Sequence, residues 1–180
     1  MRLFVAIPLP EQTTAEIHQI IGRIRLAPGL PNLRWSPPES WHITLQFLGT
    51  ATPEQYACLA DRLRSVHAAT VRIAPDEIGA FQSAGVLYAG LKPSPELTAL
   101  QKRITAATAL CGFSAEERPY HPHITLARTR STGRRELSAI VKVSGGLNRF
   151  QALTASEFAL YESVPGAPAC YVIRERFAFA

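Results

Sequence analysis

The chain has 180 residues, of which 47% are hydrophobic and 18% charged, and its formal net charge is +5. This composition excludes a disordered chain and a collagen-like or coiled-coil rod, and the length fits one domain of ordinary size. No uncharged stretch reaches the roughly 20 apolar residues that span a bilayer, and the N-terminus lacks a signal-peptide pattern, so we expect a soluble cytoplasmic protein.

The first half of the chain predicts short strands and amphipathic helices. Residues 3–7 form an apolar run that two prolines end, which predicts a buried strand. A helix follows, because isoleucines recur at i, i+3, i+4 and i+7 (Ile17, Ile20, Ile21 and Ile24) before a Pro-Gly pair. A Pro-rich connector over 31–38 leads to a strand over 42–47. Thr52, Pro53 and Gln55 are then typical of the N-cap, N1 and N3 positions of a helix.

The second half continues with mixed strands and helices. Residues 71–73 and 86–89 alternate like strands, the second beyond a turn at 83–85. Ser94 and Pro95 start a third helix, which Gly112 ends. Three more strands are predicted over 123–127, 158–161 and 171–173, with a short helix over 134–141. Because no long βαβαβ run is present, we expect the α+β class, in one domain over residues 1–180.

The three cysteines and the excess of arginine say little about function on their own. Cys58, Cys111 and Cys170 are far apart and form no CxxC pair, which predicts buried thiols and neither a disulfide framework nor a zinc site. There are 19 Lys and Arg residues against 14 Asp and Glu residues. The excess is mostly arginine, whose planar fork of donors matches phosphate, so it favours an anionic partner. An Arg-rich proteome would give the same composition.

One tetrapeptide, His-Ile-Thr-Leu, occurs twice, at 42–45 and at 123–126, and uses two of the five histidines. Alternate side chains of a strand share a face, so His42 and Thr44 project together, as do His123 and Thr125. The residues between them are expected to be buried. If the two strands face each other across a groove, one site holds two imidazoles and two hydroxyl donors.

This set of side chains suits chemistry at phosphorus. A neutral imidazole can take a proton from water and an imidazolium can protonate the leaving oxygen, since both roles favour pKa values near the working pH. The threonine hydroxyls can donate to the non-bridging oxygens, where charge builds in the transition state. Arg128 and Arg130 extend the basic side and could hold phosphate. Such a site requires no metal and no cofactor.

Structural interpretations of the same residues stay open at this point. Each histidine could be a hydrogen-bonded strand residue, each threonine a good β former, and the arginines that follow position 127 a solvated basic face. His121 shares the face of His123 only if that strand begins early, and His18 and His67 are expected at the surface. Core packing is the preferred interpretation of four aromatic residues that could otherwise stack a base: Trp35, Trp41, Phe47 and Tyr120.

At the repeated motif the sequence resembles the 2H phosphoesterase superfamily, whose signature is two His-x-Thr/Ser motifs. Within it the match is to the RNA 2′,3′-cyclic phosphodiesterases, long called 2′-5′ RNA ligases. The blocks that carry the resemblance are 1–10, 34–35 with 42–49, 118–128 and 160–163. The resemblance implies a two-lobed, pseudo-symmetric α+β fold in which antiparallel sheets line a central cleft and helices lie outside.

The resemblance also implies an activity and residue roles. The expected reaction is metal-independent hydrolysis of a terminal 2′,3′-cyclic phosphate, on RNA 3′ ends or nucleotides, to a 2′-phosphomonoester, with 2′-5′ RNA ligation as an additional activity of the family. In the family's usual assignment His123 is the general base and His42 the general acid. Thr44 and Thr125 would bind the phosphate, and Arg128 would contact it. Trp41 departs from the smaller or aliphatic residue of many relatives, which we expect to alter only the shape of the groove.

Two functions from other classes remain as alternatives. An RNA-end binding module without turnover would need the arginine and the threonines but not two imidazoles. A metal-dependent hydrolase would use His42, His121 and His123, although the sequence has no HExxH motif and no carboxylate near either repeat. We expect a monomer, because no partner helix is evident.

Overall fold

The computed structural model describes residues 1–26, 33–129, 134–144, 150–166 and 170–179. Its elements in chain order are β1 (Arg2–Pro8), α1 (Glu11–Arg25), β2 (Leu33–Trp35), a 3-10 turn (Pro38–Ser40), β3 (His42–Thr50), α2 (Pro53–Arg64), β4 (Val71–Ile73), β5 (Pro75–Phe81), β6 (Val86–Leu91), α3 (Pro95–Ala109), β7 (His123–Thr129), α4 (Arg134–Ser144), β8 (Leu153–Ala155), β9 (Glu157–Val164) and β10 (Cys170–Ala178). Within the described residues, no helix is long and apolar enough to cross a membrane.

Two four-stranded antiparallel sheets carry the two copies of the repeat. One has the order β10-β9-β1-β3 and the other the order β2-β7-β6-β5. The motif strands β3 and β7 also contact each other, which brings the two sheets together at the repeats. A separate two-stranded sheet pairs β4 with β8. The predicted two-lobed α+β fold with antiparallel sheets is confirmed, while the extent of one domain over residues 1–180 stays a prediction.

Helices α2 and α3 begin at the capping residues that the sequence predicts, and a glycine follows the end of α3. The Thr52 hydroxyl accepts from the Gln55 N–H at 3.2 Å and the Gln55 side chain accepts from the Thr52 N–H at 3.0 Å, which is a capping box. The Ser94 hydroxyl accepts from the Leu97 N–H at 3.1 Å at the start of α3. Gly112 follows α3 at φ +87°, in the left-handed region that favours glycine.

The core lies under the helices and the inner faces of the sheets. The four isoleucines of α1 are all buried, as their spacing predicts, and so are the apolar residues between and after the motif side chains: Ile43, Leu45, Ile124 and Leu126. Burial of these residues fixes which face of β3 and β7 is turned away from the core, because a one-residue slip in register would reverse both faces.

The prediction of three buried thiols is wrong. Cys58 in α2 and Cys111 just after α3 form a disulfide with their Cα atoms 5.8 Å apart. These positions are 53 residues apart in the chain, and the packing of α2 against α3 brings them together, which no spacing motif reveals. Cys170 is a free thiol at the start of β10, but it is exposed.

The sequence patterns also miss the strand β5. It pairs antiparallel with β6 and lies at the edge of its sheet. Only Ile78 in this strand is buried, so the alternation that predicts a strand is absent. Pro75 at its start fits an edge position, where a missing N–H donor is tolerated.

Candidate active site

Each motif histidine is the first residue of its strand, and the two strands repeat one pattern of burial. In β3, His42 and Thr44 are half-buried and the residue after each of them is buried. In β7, His123 and Thr125 show the same pattern. The prediction that histidine and threonine share a face is therefore confirmed in both strands.

A bulge in β3 brings a third residue, Phe47, onto the face of His42 and Thr44. These three residues pair with alternate residues of β1, and the register skips Leu45. Because alternate residues of β1 share one face, their partners share it too. Phe47 is consequently 59% exposed, and the prediction that it packs in the core is wrong.

A corresponding bulge occurs in β7, where it brings Arg128 onto the face of His123 and Thr125. His123, Thr125 and Arg128 pair with alternate residues of β6, and the register skips Leu126. Arg128 is exposed on the face that carries the histidine and the threonine. Phe47 and Arg128, each five residues after its histidine, thus occupy corresponding positions in the two lobes.

Main-chain carbonyls orient the two imidazole rings in the same way. His42 Nδ1 lies 2.8 Å from the carbonyl oxygen of Ser40, and His123 Nδ1 lies 2.8 Å from the carbonyl oxygen of His121. A carbonyl can only accept, so Nδ1–H is the donor in each bond. The Nε2 atom of each neutral ring therefore carries the lone pair that can exchange a proton with a substrate.

Aromatic rings surround His42. The centroids of Phe4, Tyr161 and Tyr171 lie 4.8, 5.7 and 5.1 Å from that of the imidazole. Burial lowers the pKa of His42 to about 4, the Ser40 bond opposes this lowering, and the charge of His123 adds a smaller lowering. The charge of His123 therefore reaches His42, in line with the contact between their strands β3 and β7.

A second aromatic wall lies beside His123. Phe81 and Tyr88 present their rings at 5.0 and 5.4 Å, and the ring of the exposed His121 lies 6.3 Å away. Burial lowers the pKa of His123, the bond to the His121 carbonyl raises it, and the charges of His121 and Arg128 lower it further. Both motif histidines therefore have pKa values below the ordinary value for histidine.

A cavity of about 860 Å³ opens beside the repeats. This volume falls within the roughly 300–1,000 Å³ of small-molecule sites. Of the four motif side chains, Thr44 and His123 line it, together with Phe47 and Phe81. Its remaining walls are one face of α3 and the segment over 115–121, which contribute Thr98, Gln101, Lys102, Thr105, Glu116, Glu117 and Arg118 among others.

The connection from α3 to β7 is attached to β3 at both of its ends. Gln46 is buried, accepts from the Thr108 hydroxyl at 2.8 Å and donates to the Ser114 carbonyl at 3.3 Å. The Tyr120 hydroxyl donates to the Thr44 carbonyl at 3.2 Å, and burial raises its pKa well above the ordinary value. These bonds couple the segment that leads into the second repeat to the strand that holds the first.

All five predicted site residues lie on the motif faces of the two strands: His42, Thr44, His123, Thr125 and Arg128. Their chemical roles stay predictions. Arg130 lies outside the described residues. Trp41 is buried in the core, as predicted, and half-buried Trp35 has the Arg25 guanidinium 5.0 Å from its ring centroid. His18 and His67 are exposed, also as predicted.

The aromatic rings around the two imidazoles and the two orienting carbonyls were not predicted. The rings come from five strands, all of them far in the chain from the motif strand that they contact. A main-chain carbonyl is present at every residue, so no sequence pattern identifies the two that orient the histidines. The residues whose side chains the structure describes contain no group of three or more His, Cys, Asp or Glu that could hold a metal ion.

Comparison with known proteins identifies the family. A family model described as the 2'-5' RNA ligase superfamily matches residues 10–166. The chain belongs to this superfamily. The resemblance to the 2H phosphoesterases that the repeated motif indicates is thereby confirmed.

Relatives in the 2'-5' RNA ligase superfamily are similar over much of the chain. An RNA 2',3'-cyclic phosphodiesterase of Geobacillus stearothermophilus is 34% identical over 132 residues, which are 69% of this chain and 41% of that protein. One of Bacillus subtilis is 30% identical over 164 residues, 88% of this chain and 86% of that protein. The crystal structure of E. coli LigT complexed with 3'-AMP has a TM-score of 0.79 and 26% identity, covering 99% and 97% of the two chains. The predicted enzyme class, a phosphoric diester hydrolase, agrees with these names.

Proposed function

We propose that the protein is an RNA 2′,3′-cyclic phosphodiesterase that forms a 2′-phosphomonoester by metal-independent acid–base catalysis. The observation that carries this proposal is the pair of imidazoles, each held at Nδ1 by a carbonyl and each beside a threonine, on two strands in contact. The substrate class is supported by relatives with this activity in their names at 34% and 30% identity.

Each motif residue has one role in the proposed reaction. His123 Nε2 takes a proton from water as the water oxygen bonds to phosphorus, and His42 Nε2 gives a proton to the 3′ oxygen as its bond to phosphorus breaks. The hydroxyls of Thr44 and Thr125 donate to the non-bridging oxygens, and the Arg128 guanidinium lies beside the same charge. The phosphate stays on the 2′ oxygen.

In this scheme, binding of the substrate anion causes His42 to take up the proton from solvent that it later donates. Because both histidine pKa values are lowered, both rings are neutral at pH 7 in the free protein. A phosphodiester anion between the rings favours the imidazolium and raises the pKa of His42. The apolar rings around His42 strengthen this effect, since charges interact more strongly where water is excluded. Substrate binding and proton uptake are thus linked.

The cavity beside the repeats fits the nucleoside that carries the cyclic phosphate. Phe47 presents an exposed ring to this space, and every nucleobase has a π-face that can stack on such a ring. Gln101 and Thr105 offer neutral polar groups on the opposite wall. A base that stacks on Phe47 would place its ribose near Thr44.

Product analysis tests this proposal. An oligoribonucleotide ending in a 2′,3′-cyclic phosphate is incubated with the protein in EDTA, and 2′- and 3′-phosphate ends are separated. We expect only 2′-phosphate ends from the natural protein and none from His42→Ala or His123→Ala, while His67→Ala on the surface retains activity. A 3′-phosphate product would contradict the assigned roles.

The same assay separates the alternatives. Tight binding without product would indicate an RNA-end binding module. Loss of turnover in EDTA that zinc or manganese restores would indicate metal-dependent hydrolysis. The 2′-5′ ligase activity, the monomeric state and the cytoplasmic location stay predictions.

A further inference from the structure

Two arginines lie directly opposite each other across β2 and β7. Arg34 pairs with Arg128 in the register of these strands, and both are exposed. Residues directly opposite in an antiparallel pair share a face. Arg34 therefore lies on the face of the sheet that carries His123 and Thr125, although it comes from the first half of the chain.

Like charges directly opposite each other destabilise a sheet unless an anion lies between them. Four ion pairs are found among the side chains that the structure describes, and all four use other arginines: Arg64, Arg118, Arg174 and Arg176. Within the same described set, neither Arg34 nor Arg128 has a carboxylate partner. The pair is therefore available to an anion from outside the chain.

The two arginines stand at different distances from the reacting centre. Arg128 is close enough to His123 for its charge to lower the pKa of that ring, whereas Arg34 is not among the groups that shift it. β2 lies one further strand outward, a spacing of about 5 Å. The charge of Arg34 therefore lies farther from His123 than that of Arg128, so an anion bound to Arg34 would lie farther from the motif histidines.

The covalent structure of a nucleotide agrees with this placement. In ribose, the 2′ and 3′ oxygens lie between C1′, which carries the base, and C4′, which carries the 5′ chain. Phe47 lines the cavity and both arginines lie outside it. A nucleotide with its cyclic phosphate between the histidines and its base on Phe47 would therefore direct its 5′ chain out of the cavity, towards the arginines.

We propose that Arg34, next to Arg128, binds the phosphodiester immediately 5′ to the nucleotide that carries the cyclic phosphate. This inference rests on the proposed function and predicts that RNA ends of two or more nucleotides are better substrates than mononucleotides. A mononucleotide has no second phosphate for Arg34. The planar fork of a guanidinium matches two phosphate oxygens at once, which explains arginine at both positions.

The test compares two substrates, a nucleoside 2′,3′-cyclic phosphate and a dinucleotide ending in one with a free 5′-hydroxyl. For Arg34→Gln we expect kcat/KM to fall about tenfold on the dinucleotide, as for loss of a charged hydrogen bond, and to stay nearly unchanged on the mononucleotide. The slope of log(kcat/KM) against log salt for the dinucleotide becomes shallower by about 0.7. Arg34→Lys should keep the salt dependence, because the charge remains, and should lose part of kcat/KM on the dinucleotide, because the planar fork of donors is lost. Arg72→Gln is the control, because Arg72 lies in β4, outside both motif sheets, and this substitution should leave kcat/KM unchanged on both substrates.

The outcomes distinguish this inference from the proposed function. Equal losses on both substrates, or no loss on either, overturn the role of Arg34 and leave the phosphodiesterase in place. If the natural protein turns over neither substrate, the proposed function fails and the inference fails with it. Thermal unfolding of Arg34→Gln and Arg34→Lys shows whether any loss of activity comes from loss of the fold. Both variants should lose more activity on the dinucleotide than on the mononucleotide, and a variant that does not would overturn the role of Arg34.

Discussion

The two motif strands repeat each other closely in the groups that face phosphorus and differ in the groups that face the rest of a substrate. β3 and β7 share the initial histidine, the carbonyl bond at Nδ1, the threonine and the bulge. Five residues after the histidine, however, β3 has Phe47 and β7 has Arg128. Hydrolysis needs one proton taken and one proton given, which two like imidazoles supply. A nucleotide has an apolar base on one side and a charged phosphate on the other, and the unlike side chains of Phe47 and Arg128 match these two groups.

Removal of either imidazole should reduce activity more than any other single substitution, because both strands supply a group that transfers a proton. His42→Ala and His123→Ala should each lower kcat by at least about 100-fold, because general acid–base catalysis contributes 100-fold or more. The double variant should be little worse than either single one, since both act on one transition state. Full activity in either single variant removes that ring from the mechanism.

The deeper enclosure of His42 predicts a second difference, in acid stability. A histidine whose folded pKa is about 4 and whose unfolded pKa is near 6.5 stabilises the fold above pH 6.5 and loses that contribution as pH falls towards 4. The loss approaches about 3 kcal/mol of unfolding free energy, at 1.36 kcal/mol per pKa unit. Urea unfolding at pH 7 and pH 4.5 should show a smaller acid loss in His42→Asn than in the natural protein. Identical losses in the two proteins contradict the lowered pKa.

Substitutions at Phe47 and Arg128 should affect different kinetic constants. Phe47→Ala should weaken nucleotide binding by about 1–3 kcal/mol, the value of a base on an aromatic ring, and raise KM more than it lowers kcat. Arg128→Gln should lower kcat instead, because its charge lies beside the reacting phosphate. Phe47→Leu is the matched control, because it removes the stacking ring while keeping an apolar side chain at this position. If both substitutions change KM alone, the two positions have the same role.

Substitution of Gly79, which lies against the ring of Tyr88, should reduce activity only modestly. A Cβ at Gly79 would come within 2.5 Å of the Tyr88 ring, which packs against His123, whereas Gly22 in α1 has no atom within 4 Å. Gly79→Ala should therefore lower activity several-fold, and Gly22→Ala should stabilise the helix by about 0.5–1 kcal/mol with activity unchanged. Unchanged activity in Gly79→Ala would show that Tyr88 does not position His123.

The sequence predicts those features that depend on neighbours within one turn or one strand. The capping pair Thr52 and Gln55, the isoleucine stripe of α1 and the shared faces of histidine and threonine are of this kind. The two bulges depend on pairing with β1 and β6, which lie far away in the chain. Strict alternation therefore places Phe47 on the wrong face. The disulfide between Cys58 and Cys111 likewise depends on helix packing, and β5 has no alternation to detect.

The mechanism depends on the protonation of the two Nε2 atoms, which nitrogen NMR can follow. Nitrogen NMR of the labelled protein at pH 7 should show both rings neutral with the proton on Nδ1, because carbonyls hold that atom and burial lowers both pKa values. Addition of a nucleoside 2′-phosphate should shift both Nε2 signals and convert one ring to the imidazolium. A ligand that perturbs only one of the two rings, or that binds with no uptake of a proton, would contradict a mechanism in which both act on one phosphorus atom.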